Sequence, residues 1–118
     1  MKTVCVLGGS GFLGSHVADK LSEAGYRVRI FDQRPSAWIR PDQEIVLGSL
    51  LSQSEVAEAI QGAEIVYNFA GLADLNEGLR KPLETVRINI LGNAYVMEAC
   101  RQCNVERFIY ASTVYVNS

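Results

Sequence analysis

Hydrophobic positions in this chain fall into short, nearly continuous runs that alternate with stretches of helical period. The first run, Thr3–Leu7, contains the unbroken Val4-Cys5-Val6-Leu7 and reads as a strand. A glycine-rich segment follows. Leu13, Val17, Ala18, Leu21 and Ala24 then recur on one face of a predicted helix that Gly25 stops. Residues 26–31 read as strand two, with Val28 and Ile30 toward a core, and a loop carrying Pro35, Ser36 and Pro41 leaves it. A short third strand over 45–47 ends at Gly48. Ser52 or Ser54 caps a short helix through Val56, Ala57 and Ile60, which Gly62 ends. Residues 64–70 form a fourth, buried strand through Ile65, Val66, Tyr67 and Phe69. Beyond a loop or irregular helix over 71–81, Pro82 opens the longest predicted helix, reaching Cys103, with Leu83, Val86, Ile90, Ala94 and Met97 on its core face. Residues 107–111 give strand five.

Apolar strands separated by helices imply a parallel sheet covered on both faces. The expected fold is α/β, a doubly wound parallel sheet of order 3-2-1-4-5, in one domain over residues 1–118 with no repeat or linker. In that order the sheet reverses direction between strands one and four. Ligands of open α/β sheets bind at such a reversal. The glycine-rich turn after strand one and the Ala70-Gly71 turn after strand four both open there.

The turn itself is Gly8-Gly9-Ser10-Gly11-Phe12-Leu13-Gly14. A pyrophosphate needs backbone N–H donors at close range and the positive end of a helix dipole, and side chains at the turn would block its approach. Two registers fit the glycines: Gly9-x-Gly11-x-x-Gly14 and Gly8-x-x-Gly11-x-x-Gly14. A glycine triplet alone is weak evidence; between a strand and a helix, with a downstream acid, it is strong. That acid is Asp32, eighteen residues past Gly14 at the end of strand two. Its carboxylate can accept from both ribose hydroxyls of an adenosine and repels a 2′-phosphate, which favours NAD over NADP. Arg34, two residues on, keeps NADP as the alternative.

Composition narrows the classes of partner. The formal charge of −2 provides no basic field for nucleic acid. The longest early apolar run is four residues, too short for a signal peptide or a membrane span, so no membrane partner and a cytoplasmic location are expected. Three cysteines include Cys100-Arg101-Gln102-Cys103, near the C-terminal end of a predicted helix, where the dipole disfavours thiolates. No second CxxC or His pair completes a metal site, so no metal is expected and the cysteines read as reduced packing residues. His16 is placed near the phosphate end or at the surface, and Trp38 beside the adenine or in packing.

The segment from Gly8 to His16 resembles the cofactor loop of extended short-chain dehydrogenases/reductases, the nucleotide-sugar epimerase/dehydratase family. The resemblance continues through Phe31-Asp32, Gly48-Ser49-Leu50, Asn68-Phe69-Ala70-Gly71, Pro82 with Asn89-Ile90-Leu91-Gly92-Asn93, and Arg107-Phe108-Ile109-Tyr110-Ala111-Ser112-Thr113. It implies a Rossmann-type domain in which Gly8, Gly11 and Gly14 shape the loop and the amides of Phe12 and Leu13 hold the pyrophosphate. Asp32 then holds the adenine ribose, Ser49 and Leu50 border the adenine, and Ala70 and Gly71 lie beside the diphosphate and nicotinamide ribose. Position 49 is usually Asp in the family. Asn89 matches a polar position that ties its helix to the cofactor-side strand ends. Thr113 matches the residue that bonds the reacting sugar oxygen and is the one catalytic candidate.

The family's proton-transfer pair, a tyrosine followed four residues later by lysine, does not occur in these 118 residues. The resemblance therefore implies an N-terminal fragment cut after strand five, inactive by itself, of an NAD-dependent enzyme acting on a nucleotide sugar. The alternative is a non-catalytic dinucleotide-binding or redox-sensing protein of the same fold. Family members commonly dimerise through the helix predicted over 82–103. Its Ile88, Leu91 and Tyr95 lie off the main core face, which implies a homodimer.

Overall fold

The computed structural model describes residues 1–70 and 82–110. Five parallel strands, β1 (Thr3–Leu7), β2 (Arg27–Asp32), β3 (Glu44–Leu47), β4 (Ile65–Asn68) and β5 (Arg107–Tyr110), form one sheet of order β3-β2-β1-β4-β5. The expected topology and the α/β class are both present. Strand β1 is central, with Val6 level with Ile30 on one side and with Tyr67 on the other.

Alternation along the strands builds two cores. Val4, Val6, Val28 and Ile30 point to one face, where Ala18 of helix α1 (Phe12–Glu23) closes over them. Cys5, Leu7, Phe31 and Val66 point to the other. There they pack against Val56, Ala59 and Ile60 of α2 (Gln53–Ile60) and Val96, Ala99 and Cys100 of α4 (Asn93–Gln102). Each fully buried aliphatic side chain contributes about 1.5–3 kcal/mol of transfer free energy.

Helix α2 starts as its sequence dictates: Ser52 is the N-cap, and its Oγ accepts from the N–H of Glu55 at 3.4 Å. The Glu55 carboxylate turns back to take the N–H of Ser49 at 2.8 Å, which draws the loop after β3 onto the helix start. Between the two predicted serine caps, Ser52 is the one used.

In α1 the middle of the expected face is present: Ala18 is buried, and Leu21 is half-buried against the same core. Gly14 and Ser15 are buried with them, while Leu13 and Ala24 at the two ends are exposed. The helix predicted as continuous from Pro82 is α3 (Pro82–Arg87), a π-helical turn (Ile88–Gly92) and α4. Leu83, Val86, Ile90, Ala94 and Met97, expected in the core, are exposed; Gly92, Val96, Ala99 and Cys100 are buried instead. The reason is distance. Small residues let a helix lie close to the sheet and to Leu50, and the bulky stripe is left outside. No helix among the described residues is long and apolar enough to cross a membrane.

Candidate functional site

The carboxyl ends of β1, β2 and β4 meet around the glycine turn, and the chain's own contacts separate the roles of its glycines. Gly8 adopts a left-handed φ of +79°, and a Cβ there would lie 2.8 Å from the Ala70 nitrogen. A Cβ on Gly14 would overlap the Gly8 carbonyl oxygen, so the start of α1 presses directly on the turn. Gly9 is buried against Ile30, whose Cγ2 is 2.7 Å from where a Cβ would sit. Gly11 differs from all three. It is exposed, its φ is −78°, and a Cβ would meet only the Gly8 oxygen at 3.6 Å. Among the described residues nothing crowds position 11, so the outer face of the turn is open at this point.

Gly11 is also the N-cap of α1 and supplies no side-chain cap. The first-turn amides of Phe12, Leu13 and Gly14 precede any intrahelical acceptor, so they face outward at the positive end of the helix dipole. The side chains of Phe12 and Leu13 are exposed, and the Phe12 ring meets His16 edge-on at 4.6 Å between centroids. His16 is at the surface, one helical turn from the cradle.

Asp32 is held beside this cradle. Its Oδ2 accepts the N–H of Ser10 at 3.0 Å and its Oδ1 the N–H of Arg34 at 3.3 Å. The Ser10 hydroxyl donates to the Arg34 carbonyl at 2.7 Å, which closes the link between the glycine turn and the loop after β2. The carboxylate is half-buried, with its orientation fixed by backbone. Ser10 was not singled out from the sequence, although a serine inside a glycine turn facing a strand-end acid is the signal that would have found it. Arg40 and Gln43 pin the far end of that loop to α1: Arg40 pairs with Asp19 at 3.1 Å and Glu23 at 3.0 Å, and Gln43 donates to Asp19 and Ser22 at 3.1 Å each. Trp38 is exposed between these anchors.

Ser49 follows β3 and is half-buried; its Oγ accepts the N–H of Leu51 at 3.1 Å. The Leu50 side chain points inward. It is buried beside Phe31 and Val96 and packs on Gly92, where a Cβ would come within 3.1 Å of it. Ala70 abuts Gly8 on the other side of the cradle. The structure thus gathers Gly8, Gly11, Phe12, Leu13, Gly14, Asp32 and Ala70 about one crevice and sets Ser49 and Leu50 at the end of the neighbouring strand. Gly71 and Thr113 lie outside the described residues.

One polar pair went unnoticed in the sequence. The Asn68 side chain, 1% exposed at the end of β4, donates through Nδ2 to Oδ1 of Asn93 at 2.9 Å and accepts the N–H of Ala70 at 3.0 Å. Asn93 thus ties its helix to the end of β4; the Asn89 side chain, for which the resemblance suggested a tie of this kind, lies outside the described residues.

The cysteines are free thiols among apolar neighbours. Burial pushes the Cys5 thiol up to about 12 and the Cys100 thiol up to about 11, opposite to what a reactive thiolate or a metal ligand needs.

A parallel α/β sheet with an uncapped, glycine-bounded helix start and a strand-end carboxylate defines a dinucleotide-binding domain. Residues 4–117 match the model of the NAD dependent epimerase/dehydratase family, and the chain belongs to that family. It is 34% identical over 115 residues to the decarboxylating sterol-4-alpha-carboxylate 3-dehydrogenase of Bos taurus, a match covering 98% of this chain and 31% of that protein. Among solved structures it resembles the UDP-glucose 4-epimerase of Thermotoga maritima, crystallised with UDP-glucose, at a TM-score of 0.87 and 29% identity, over 94% of this chain and 38% of that one. The UDP-glucose 4-epimerase of Brucella ovis, in complex with NAD, gives 0.86 and 28%, over 97% and 36%. The chain therefore spans about a third of the length of the relatives it matches.

Proposed function

We propose that residues 1–118 are the NAD-binding part of an enzyme that oxidises a ring hydroxyl, with the cofactor's pyrophosphate on the amides of Phe12 and Leu13 and its adenosine ribose on Asp32. The observation that carries this reading is Gly11, an open position at an uncapped helix start, beside a carboxylate fixed by Ser10. A bound nicotinamide is the hydride acceptor such an oxidation needs. The chain's own residues bind and orient it. Ser49 borders the adenine, Leu50 supports that border from the core, and Ala70 and Gly71 flank the diphosphate and nicotinamide ribose. Thr113 bonds the reacting oxygen. Without a tyrosine–lysine pair the 118 residues bind cofactor and do not turn over.

The substrate in this reading is a nucleotide sugar, which the likeness to the two UDP-glucose 4-epimerases supports. A second reading, a sterol hydroxyl, is favoured by the bovine relative, whose identity to this chain is higher. The exposed stripe of Leu83, Val86, Ile90 and Met97 forms a homodimer contact, and the three free cysteines accord with a reducing, cytoplasmic setting.

Calorimetric titration tests the cofactor reading. NAD should bind at least tenfold more tightly than NADP, and Asp32→Asn should narrow that ratio to threefold or less. Equal affinities in the unaltered protein would remove Asp32 from the proposed role.

A further inference from the structure

Asn93 stands at the junction of the π-helical turn and α4, where two parts of the cofactor crevice meet one helix. Through Asn68 it reaches the Ala70 amide, and the Ala70 backbone in turn presses on Gly8, the first residue of the phosphate cradle. The residue before it, Gly92, is where Leu50 rests, behind the loop carrying Ser49. Asn68 has both ends of its amide engaged while it is buried. Loss of either partner leaves a desolvated polar atom that the β4 end must move to satisfy. A π turn directly ahead of the pair adds a residue to the helical turn, and such turns are frequent at functional sites.

We propose that Asn93 is a positioning residue for the cofactor, acting through Asn68 to set the Ala70 backbone against Gly8 and so fix the crevice on its diphosphate and nicotinamide side. The inference rests on the cofactor reading above and adds to it a residue that acts through Asn68. Its consequence is selective. Asp32 and Ser10 are bound to one another and to the loop after β2, and among the described residues these hydrogen bonds do not pass through Asn68 or Asn93, so the adenosine end of the site should keep its geometry when the pair is broken.

Protein-observed NMR titrations of the full 118-residue chain with NAD and, separately, with AMP distinguish the outcomes. Asn93→Ala should weaken NAD at least tenfold and AMP less than twofold. Asn93→Asp, which retains an acceptor oxygen for the Asn68 amide, should return NAD affinity to within about threefold of the unaltered protein. Should Asn93→Ala fail to fold, Asn93→Ser, whose hydroxyl is too short to reach Asn68, replaces it with the same expectation. Losses of equal size on both ligands, or no loss on either, would overturn the positioning role while leaving the cofactor reading intact. An unaltered chain that binds neither ligand overturns the cofactor reading, and this inference with it.

Discussion

Glycines in one loop do different work, and substitution separates them. At Gly14 a methyl group has no room against the Gly8 oxygen, and strain of this kind costs about 1–3 kcal/mol. At Gly11 the methyl is accommodated, and the change to a poorer N-cap costs about 1 kcal/mol or less. Gly14→Ala should therefore lower the melting temperature and the NAD affinity together. Gly11→Ala should lower the melting temperature by no more than about 5 °C, less than Gly14→Ala does, and weaken NAD more than tenfold. Paired thermal melts and titrations check both. Cys5 gives a second residue-level expectation. Its thiol titrates at about 12 when folded against an ordinary value of 9.0, so the folded state holds a proton that the unfolded state has lost between those limits. Stability from this group is complete below about pH 9 and declines by about 1.4 kcal/mol per pH unit above it. Urea unfolding at pH 8 and pH 10.5 should show a steeper loss in the unaltered protein than in Cys5→Ala.

Single residues also join whole elements. Arg29, inside β2, places its guanidinium at the C-terminal end of α2. There NH1 donates to the carbonyls of Ala59 at 2.7 Å and Gln61 at 2.8 Å, while Nε meets Glu44 at 2.7 Å. These are the carbonyls a helix end leaves without partners, and a cation suits the dipole there. Arg29→Met should cost about 2 kcal/mol in chemical denaturation. Glu44→Gln, at the exposed end of the same group, should cost under about 1 kcal/mol. The elements themselves were legible in the sequence, because the unbroken Val-Cys-Val-Leu run ending at Gly8 and the Ile-Val-Tyr run between Gly62 and Gly71 leave few alternatives. The buried face of the helical stretch from Pro82 was not. Leu83, Ile90 and Met97 outweigh Gly92, Ala99 and Cys100 in hydrophobic bulk, yet close packing selects the small residues. Within the site, Gly11 and Asp32 were readable from spacing. Asn68 and Asn93 were not, since a contact across 25 residues leaves no local pattern.

On the scale of the whole molecule, the outward apolar stripe is the surface on which the proposed dimer rests. Leu83 is 81% exposed and Ile90 68%, on a surface where isolated apolar residues are ordinary but a continuous row is not. Sedimentation equilibrium should find a dimer that Leu83→Asp with Met97→Asp converts to monomer, without loss of NAD binding. A monomer at all concentrations would remove the dimer contact. The strand order has a different consequence, in the timing of folding. β1 precedes the other four strands in sequence and is the middle of the finished sheet, yet Val4 pairs with Ile65, sixty-one residues later. During synthesis, this apolar segment must wait until about sixty further residues have emerged before its second neighbour exists. Closing so long a loop is slow, and until then the Val-Cys-Val-Leu edge is free to be captured by a chaperone or by another nascent chain.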